Sequence, residues 1–98
     1  MLFASKLITS SGNTILNICD PDLLDKIVKD KKIEIKISSK YYNDKTIDEI
    51  EAEYLLKKCT SANMVGEKTI SLSLKIGIGS EKGVRRMDGI PFLIIYKM

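Results

Sequence analysis

Histidine is absent from the 98 residues of this chain. Its absence excludes Ser-His and Cys-His nucleophilic catalysis, imidazole acid–base chemistry and most zinc sites. No nucleophile paired with a base remains, so we expect binding rather than catalysis. The sequence accordingly predicts no catalytic residues, no metal ligands and no cofactor.

Cysteine and long apolar runs are scarce. The two cysteines, Cys19 and Cys59, stand alone without CxxC spacing, which predicts buried thiols in a reducing cytoplasm rather than a disulfide. The longest apolar run, residues 90–96, is far below the roughly 20 residues that span a bilayer. The first residues also lack the apolar segment of a signal peptide. We therefore expect a cytoplasmic protein with no membrane partner.

Charge of either sign shows little excess, with 16 Lys and Arg against 13 Asp and Glu and a net charge of +3. Such a small basic excess says little about nucleic acids by itself, and no DNA partner is expected. Chains of this length form one domain, here residues 1–98, with a single core between two layers. A catalytic site would have to be a surface cleft or be shared with a partner.

The first 38 residues predict a β-hairpin, a short helix and a strand. Residues 2–9 and 14–18 are β-rich and flank a turn cluster. Asp20 can then cap a helix with Pro21 in its first position, and that helix would run through Val28 into the charged residues 29–32. Isoleucines alternate with charged residues over residues 32–38, which is typical of a half-buried strand.

A long helix and a C-terminal hairpin follow. Thr46 and Glu49 have the spacing of a capping box, and the apolar residues behind them keep helical spacing to about Thr60. They are Ile47, Ile50, Tyr54, Leu55, Cys59 and Ala62. Residues 66–77 fit both a strand and a helix ending at Gly77. Asp88-Gly89 predicts a hairpin between residues 84–87 and 90–97.

These elements predict an α+β fold. We expect a single compact domain with a mixed or antiparallel sheet, terminal β-hairpins and two to three helices packed on it.

Three segments resemble a small archaeal family catalogued as a domain of unknown function, number 424. Residues 18–26 are similar to its CD-x-x-LLGK segment, residues 62–68 to its A-N-L-V-G-E core, and residues 84–91 to its V-x-R-I-x-G-V-P segment. The resemblance implies a single α+β domain, an archaeal cytoplasm and a helix over residues 66–77. Through the genomic context of the family's members, the resemblance also implies a protein associated with the translation machinery.

The chain departs from the family pattern at two positions. Asp25 stands where members often carry glycine, and Phe92 stands where they often carry histidine. If that histidine is catalytic in relatives, this chain lacks that catalytic function.

Five basic residues are candidates for contacts with RNA phosphates: Lys68, Lys75, Lys82, Arg85 and Arg86. Arg85 and Arg86 occupy adjacent positions of a predicted strand, so they point to opposite faces and at least one meets solvent or an acidic partner. Together with the lysines they would form a basic rim suited to RNA, where arginine also stacks on bases. The alternative is a solvated hairpin rim.

Asn63 and Gly66 mark a second candidate site, at a predicted helix–helix junction. Gly66 permits tight or left-handed backbone, and free N–H groups at the next helix start could hold a phosphate with help from Lys68. The alternative is that Gly66 ends one helix and Asn63 caps it. Glu67 would compete with an anion there.

Two further clusters have structural alternatives. Tyr41 and Tyr42, with Lys40 and Lys45, have the pattern of a stacking platform for single strands, or else cover an edge of the core. The carboxylates of residues 20–25 and 48–53 crowd helix starts, where the helix dipole explains them without a metal.

The sequence as a whole favours an RNA-associated protein of the translation machinery, bound to the ribosome through its basic rim. Its partners would be ribosomal or other RNA, together with neighbouring ribosomal or translation proteins. One alternative is a small enzyme that acts on RNA or a nucleotide in a cleft around Asn63, Gly66 and Asp88. Another is an adaptor or dimer that pairs through an edge strand over residues 90–96.

Overall fold

A six-stranded sheet forms the centre of the computed structural model, which describes residues 1–97. Eight strands and three helices follow one another along the chain. The strands are β1 (Leu2–Ser10), β2 (Asn13–Cys19), β3 (Ile27–Asp30), β4 (Ile33–Lys36), β5 (Lys45–Asp48), β6 (Ser61–Val65), β7 (Arg85–Met87) and β8 (Ile90–Tyr96). The helices are α1 (Ser39–Tyr42), α2 (Glu49–Lys58) and α3 (Glu67–Lys75).

The sheet is mixed, with strand order β5-β1-β2-β6-β8-β7. Only β2 and β6 run parallel among these neighbours, and the other four pairs are antiparallel. Strands β3 and β4 form a separate two-stranded hairpin. The predicted α+β class with a mixed sheet is therefore confirmed.

Alternate residues of each strand face opposite sides of the sheet, and each side has its own core. On one side, α2 and α3 bury Leu56 and Ile70 against Phe3, Leu16 and Met64 of the strands. On the other side, the β3–β4 hairpin buries its own apolar residues against the sheet. That second core consists of Ala4, Cys19, Leu23, Val28, Ile37 and Val65.

The predicted helix after Asp20 is wrong. The chain makes only a 3-10 turn, Pro21–Leu23, and then enters strand β3. Asp25 has a left-handed φ of 64°, which ends any helix at that point. Val28 is fully buried whereas the neighbouring Ile27 is 53% exposed, as expected for a strand that covers a sheet on one side.

The predicted capping box at Thr46 is also wrong, because residues 45–48 pair with β1 and place Ile47 opposite Phe3. Asp48 is the true cap of α2, where its Oδ1 accepts a hydrogen bond of 2.9 Å from the Glu51 amide. The helix turns Ala52 and Leu56 to the core and leaves Ile50 80% exposed. It ends at Lys58, so Ala62 lies in β6 instead.

The other predicted elements are confirmed. The β1–β2 hairpin forms, and β4 lies within the strand predicted over residues 32–38. The helix predicted over residues 66–77 forms as α3 over Glu67–Lys75, and it ends where Gly77 takes a φ of 81° and Ile78 donates a hydrogen bond to the Ser73 carbonyl. Asp88 and Gly89, both with positive φ, join β7 to β8 in the predicted turn.

Both cysteines are buried free thiols, as predicted. Burial, reinforced by the nearby carboxylates of Asp20 and Asp22, raises the pKa of Cys19 to about 12. Burial also raises the pKa of Cys59. Within residues 1–97, no helix combines the length and the apolar character needed to cross a membrane.

Candidate functional site

A groove lies between the six-stranded sheet and the β3–β4 hairpin, with a cavity of about 370 Å³. We call it the hairpin groove. Its apolar lining includes Val65, Met87, Phe92 and Ile94, and its polar lining is Asp30, Tyr42, Asn63 and Arg85. Two residues singled out from the sequence for different reasons, Asn63 and Arg85, therefore share one cavity.

Strand register explains this meeting. Asn63 of β6 lies opposite Ile94 of β8, and Arg85 of β7 lies opposite Phe92 of β8. Residues that are directly opposite in an antiparallel pair point to the same face, as do residues two apart in one strand. All four residues consequently face the side that carries the β3–β4 hairpin. The hairpin covers part of that face, and its residues Asp30 and Ile33 form one wall of the groove.

Asn63 belongs to a chain of side-chain amides across two neighbouring strands. Its Nδ2 donates to Asn17 Oδ1 at 2.7 Å, and Asn17 Nδ2 donates to the Tyr41 carbonyl at 3.0 Å. A carbonyl only accepts, so this last bond fixes the orientation of both amides. Asn63 is left with its Oδ1 and one N–H that form no hydrogen bond to any other residue in the described part of the chain.

One cation lines the groove, and three more are next along the chain to residues that line it. Arg85 lines it, Lys82 precedes the lining residue Gly83, and Lys31 and Lys32 form the turn between the lining residues Asp30 and Ile33. All four are exposed. Over residues 1–97, none of them has a carboxylate oxygen within 4.0 Å, so their charges are available to a ligand.

The remaining predicted RNA contacts lie on the opposite, helical side of the sheet, and two of the three are paired with acids. Arg86 donates two hydrogen bonds to Glu67, the shorter being 2.7 Å, and Lys75 Nζ lies 3.6 Å from Glu49. The Arg86 bond lowers the pKa of Glu67, and the same bond raises the pKa of Arg86. Lys68 lines a separate hollow along α3 together with Glu49 and Glu67. Arg85 and Arg86 do point to opposite faces.

The junction at Gly66 joins a strand to a helix, so the predicted helix–helix junction is wrong. Gly66 has a φ of 109° and ends β6 just before α3. Two of the first three N–H groups of α3 are already bonded to Asp20, whose Oδ2 accepts from the Lys68 amide at 3.1 Å and whose Oδ1 accepts from the Thr69 amide at 2.9 Å. A buried carboxylate of the chain thus occupies the predicted phosphate position. Asn63, in mid-strand, caps no helix.

The two tyrosines of the predicted stacking platform lie in different environments. Tyr42 lines the hairpin groove and is half-buried, and this burial raises the pKa of its phenol. Tyr41 is 56% exposed. Lys45 is engaged with Glu51 at 3.3 Å. Only one of the two rings is therefore part of the groove.

The carboxylates of residues 20–25 and 48–53 are used largely in local structure. Asp20 and Asp48 cap helices, and Asp25 accepts hydrogen bonds from the Ser39 amide and hydroxyl, which lower its pKa. Asp88 lies in the β7–β8 turn and does not line the groove with Asn63. Among residues 1–97, no three acidic or thiol side chains cluster as metal ligands would.

Sequence reasoning did not single out Lys31, Lys32 and Asn17. The signal for Asn17 was present, since Asn17 and Asn63 are each an amide in the middle of an otherwise mostly apolar strand. Amides in such positions need partners, which a neighbouring strand supplies. No comparable signal marks the two lysines, because an exposed turn accepts charge without any function.

Comparisons with known proteins bear on the fold. The family model described as "Protein of unknown function (DUF424)" matches residues 8–98. No curated protein matches the chain. A crystal structure of an uncharacterized conserved protein from Methanopyrus kandleri is similar over 100% of this chain and 93% of that chain, with a TM-score of 0.86 and 20% sequence identity. At that identity, the similarity concerns the fold alone.

Proposed function

Since the chain belongs to the DUF424 family, whose description assigns no activity, we propose that it is an RNA-binding protein of the translation machinery. RNA phosphates would dock on the mouth of the hairpin groove. The observation that carries the proposal is a set of four exposed cations that line the groove or adjoin its lining residues in the chain, Arg85, Lys31, Lys32 and Lys82, which have no acidic partner within residues 1–97.

Free cations around an apolar cavity suit a polyanion with apolar parts. Lysine and arginine neutralise phosphates and release bound counterions, which provides most of the sequence-independent affinity for nucleic acids. The apolar lining supplied by Val65, Met87 and Phe92 offers no partner to phosphates but does suit bases. RNA satisfies both requirements, whereas a small inorganic anion satisfies only the first.

The basic rim proposed here differs from the five residues predicted from the sequence. Arg85 and Lys82 remain in it. Lys75 and Arg86 contribute less, because Glu49 and Glu67 already neutralise them on the other side of the sheet. Lys68 forms no ion pair within the described residues, but it lines the hollow along α3 together with the same two acids, so an approaching phosphate meets negative charge there as well.

The setting in translation comes from the family resemblance, and ribosomal RNA is the partner that this resemblance favours. The test is co-sedimentation of the untagged protein with ribosomal particles over a series of salt concentrations. We expect binding at physiological salt and release at high salt, because phosphate contacts weaken as counterions compete.

A charge variant makes this test specific. The double variant Arg85→Gln and Lys82→Gln should reduce the slope of log affinity against log salt by roughly 0.7 for each lost contact with single-stranded RNA. The matched control is Lys58→Gln and Lys68→Gln, which removes two exposed cations from the helical side of the sheet that, like Arg85 and Lys82, have no carboxylate oxygen within 4.0 Å in the described residues. Equal effects of the two double variants would contradict docking at the groove.

A second candidate function is pairing with a neighbouring protein through β8. Strand β7 covers β8 only over residues 90–92, so β8 is not an edge strand over its whole length as predicted. Residues 93–96 pair with β6 alone, and Tyr96 is 79% exposed beside this open edge. Open strand edges pair with other chains.

The variant Tyr96→Lys separates the two functions. It adds a positive charge and an edge lysine, which disfavours strand pairing but does not weaken attraction to phosphate. Loss of particle binding in this variant, with binding kept in Arg85→Gln and Lys82→Gln, would favour the adaptor over the RNA-binding protein.

A further inference from the structure

The interior of the hairpin groove is largely apolar and aromatic, in contrast to the cations outside it. We infer that it holds one unstacked base of a single-stranded RNA, while the cations at the mouth hold the phosphates on either side of that base. This inference rests on the RNA-binding function proposed above and names the part of the RNA that the site takes.

The walls of the groove offer flat apolar surfaces. Phe92 and Tyr42 each contribute an aromatic ring, and Val65 and Met87 add aliphatic surface beside them. The cavity of about 370 Å³ falls within the roughly 300–1,000 Å³ typical of pockets for small organic groups. Bases stack on aromatic side chains whatever their identity, because every base has a π-face.

The one oriented amide in the groove matches the edge of a base. Asn17 holds Asn63 so that its Oδ1 and one N–H are free for a ligand. Every nucleobase presents donors and acceptors along its edges, so each can form hydrogen bonds with such an amide. A purely aliphatic ligand would leave this amide desolvated and unpaired, which is costly.

The distribution of charge assigns the base to the interior and the phosphates to the mouth. Asp30 lies in the lining of the groove and has no cation within 4.0 Å among the described residues. A phosphate inside would meet this carboxylate, whereas a neutral base would not. Arg85 lines the groove, Lys82 precedes its lining residue Gly83, and both are exposed, so they are available to phosphates outside it.

A duplex does not satisfy this arrangement. Bases in a helix are stacked on one another and paired along the edges that Asn63 would contact, and double-stranded RNA is recognised by its shape and its backbone. Single strands, loops and ends present bases that can be splayed out. The expected ligand is therefore a single-stranded segment.

The experiment measures binding of a short single-stranded RNA, the same sequence as a duplex, and an abasic ribose-phosphate strand of equal length. We expect the native RNA to bind roughly 5- to 150-fold more tightly than the abasic strand, the range that stacking of one base provides. The salt slopes for the native and abasic strands should agree, since they carry the same phosphates. A 2-aminopurine placed in the strand should change its fluorescence on binding, and the protein contributes no tryptophan signal.

Two variants locate the effect. Phe92→Leu keeps an apolar side chain but removes the ring, and Asn63→Ala removes the amide. Each should reduce the preference for the native over the abasic strand and leave the salt slope unchanged. Arg85→Gln should do the reverse. A thermal melt of each variant shows that it is folded at the assay temperature.

The outcomes separate this inference from the proposed function. Equal affinity for native and abasic strands, or a preference that persists in both Phe92→Leu and Asn63→Ala, overturns the base pocket and leaves RNA docking intact. Preference for the duplex also overturns it. Failure of the wild-type protein to bind any of the three RNAs overturns both.

Discussion

Asp20 Oδ1 accepts two hydrogen bonds from Thr69, one from the backbone amide at 2.9 Å and one from the hydroxyl at 2.8 Å. The two residues are 49 positions apart in the chain. Asp20 follows the last residue of β2, and Thr69 lies in the first turn of α3, so this contact ties the start of the helix to the centre of the sheet. A helix of the second half of the chain is thereby capped by a residue of the first half.

Removing this long-range cap should destabilise the whole domain. Asp20→Ala leaves the amides of Lys68 and Thr69 without a side-chain partner, and we expect the free energy of unfolding to fall by about 1–3 kcal/mol. Urea denaturation measures the change. The matched control is Asp22→Ala, an exposed neighbour, which should shift the midpoint little. Equal shifts would show that Asp20 acts only through its charge.

Gly66 should accept no other residue. A Cβ built at this position would stand 2.6 and 2.7 Å from the two carboxylate oxygens of Asp20, and the φ of 109° is one that side chains rarely adopt. Gly66→Ala should therefore cost more than about 2 kcal/mol of unfolding free energy, since backbone strain and overpacking add. Gly66→Asn should cost at least as much, because any Cβ meets the same carboxylate.

Gly12→Ala is the matched control for this effect. Gly12 also has a positive φ, of 81°, but a Cβ there would have nothing within 4 Å. Gly12→Ala should therefore lower the free energy of unfolding only by the strain of a left-handed backbone, about 1–2 kcal/mol. Denaturant midpoints for Gly66→Ala and Gly12→Ala that agree would contradict the steric role of Asp20.

The two thiols should report on unfolding. Thiolate is the reactive form, and burial raises the pKa of both cysteines, that of Cys19 to about 12. At pH 8 we expect Ellman's reagent to modify the native protein very slowly, and to modify two thiols rapidly in denaturant. Slow modification should follow the opening of the structure, so the destabilised Gly66→Ala, which keeps the carboxylates near Cys19, should react faster. Fast reaction of the native wild-type protein would contradict the buried positions.

The Asp25 carboxylate should contribute to the loss of the domain's stability at low pH. Hydrogen bonds from Ser39 lower the pKa of Asp25 in the folded state, so this contact stabilises the fold above the ordinary aspartate pKa of about 3.9. The stabilisation is lost as the pH falls through the lowered folded pKa. Asp25→Gly should melt with a weaker dependence on pH below about 5.

The glycine variant isolates the carboxylate because glycine accepts the left-handed φ of 64° at position 25 without strain. Ser39→Ala removes the hydroxyl hydrogen bond to Asp25 but keeps the amide one. The pH dependence of its melting temperature should therefore lie between those of the wild type and Asp25→Gly. Melting temperatures measured from pH 2 to 7 make the comparison. Identical slopes for the wild type and Asp25→Gly would show that the contact with Ser39 adds nothing to stability.

Local patterns predicted those parts of the fold that depend on local interactions. The turn at Asp88 and Gly89 and the β1–β2 hairpin were recognisable because neighbouring residues determine them. Thr46 and Glu49 were misleading, because pairing with β1 draws residues 45–48 into the sheet, and tertiary contacts outweigh a local capping pattern. The helix expected after Asp20 failed similarly, since its apolar residues cover the sheet as a hairpin instead.

The candidate site was only half predictable for a related reason. Asn63 and Arg85 were both singled out, but nothing in their spacing indicates that they share a cavity. Their meeting depends on β8 lying between β6 and β7, which is a property of strand order. Hydrophobic periodicity predicts which face of a strand is buried, but it does not predict which strands lie beside it.

Strand order also determines when the domain can fold during its synthesis. The ribosome delivers β1 and β2 first, yet β2 needs β6 beside it, and β6 in turn needs β8. Until β8 has emerged, the nascent chain exposes Leu16, Met64 and other core residues to the cell's chaperones and proteases. A premature stop codon anywhere before residue 90 should thus yield a degraded polypeptide rather than a smaller working protein.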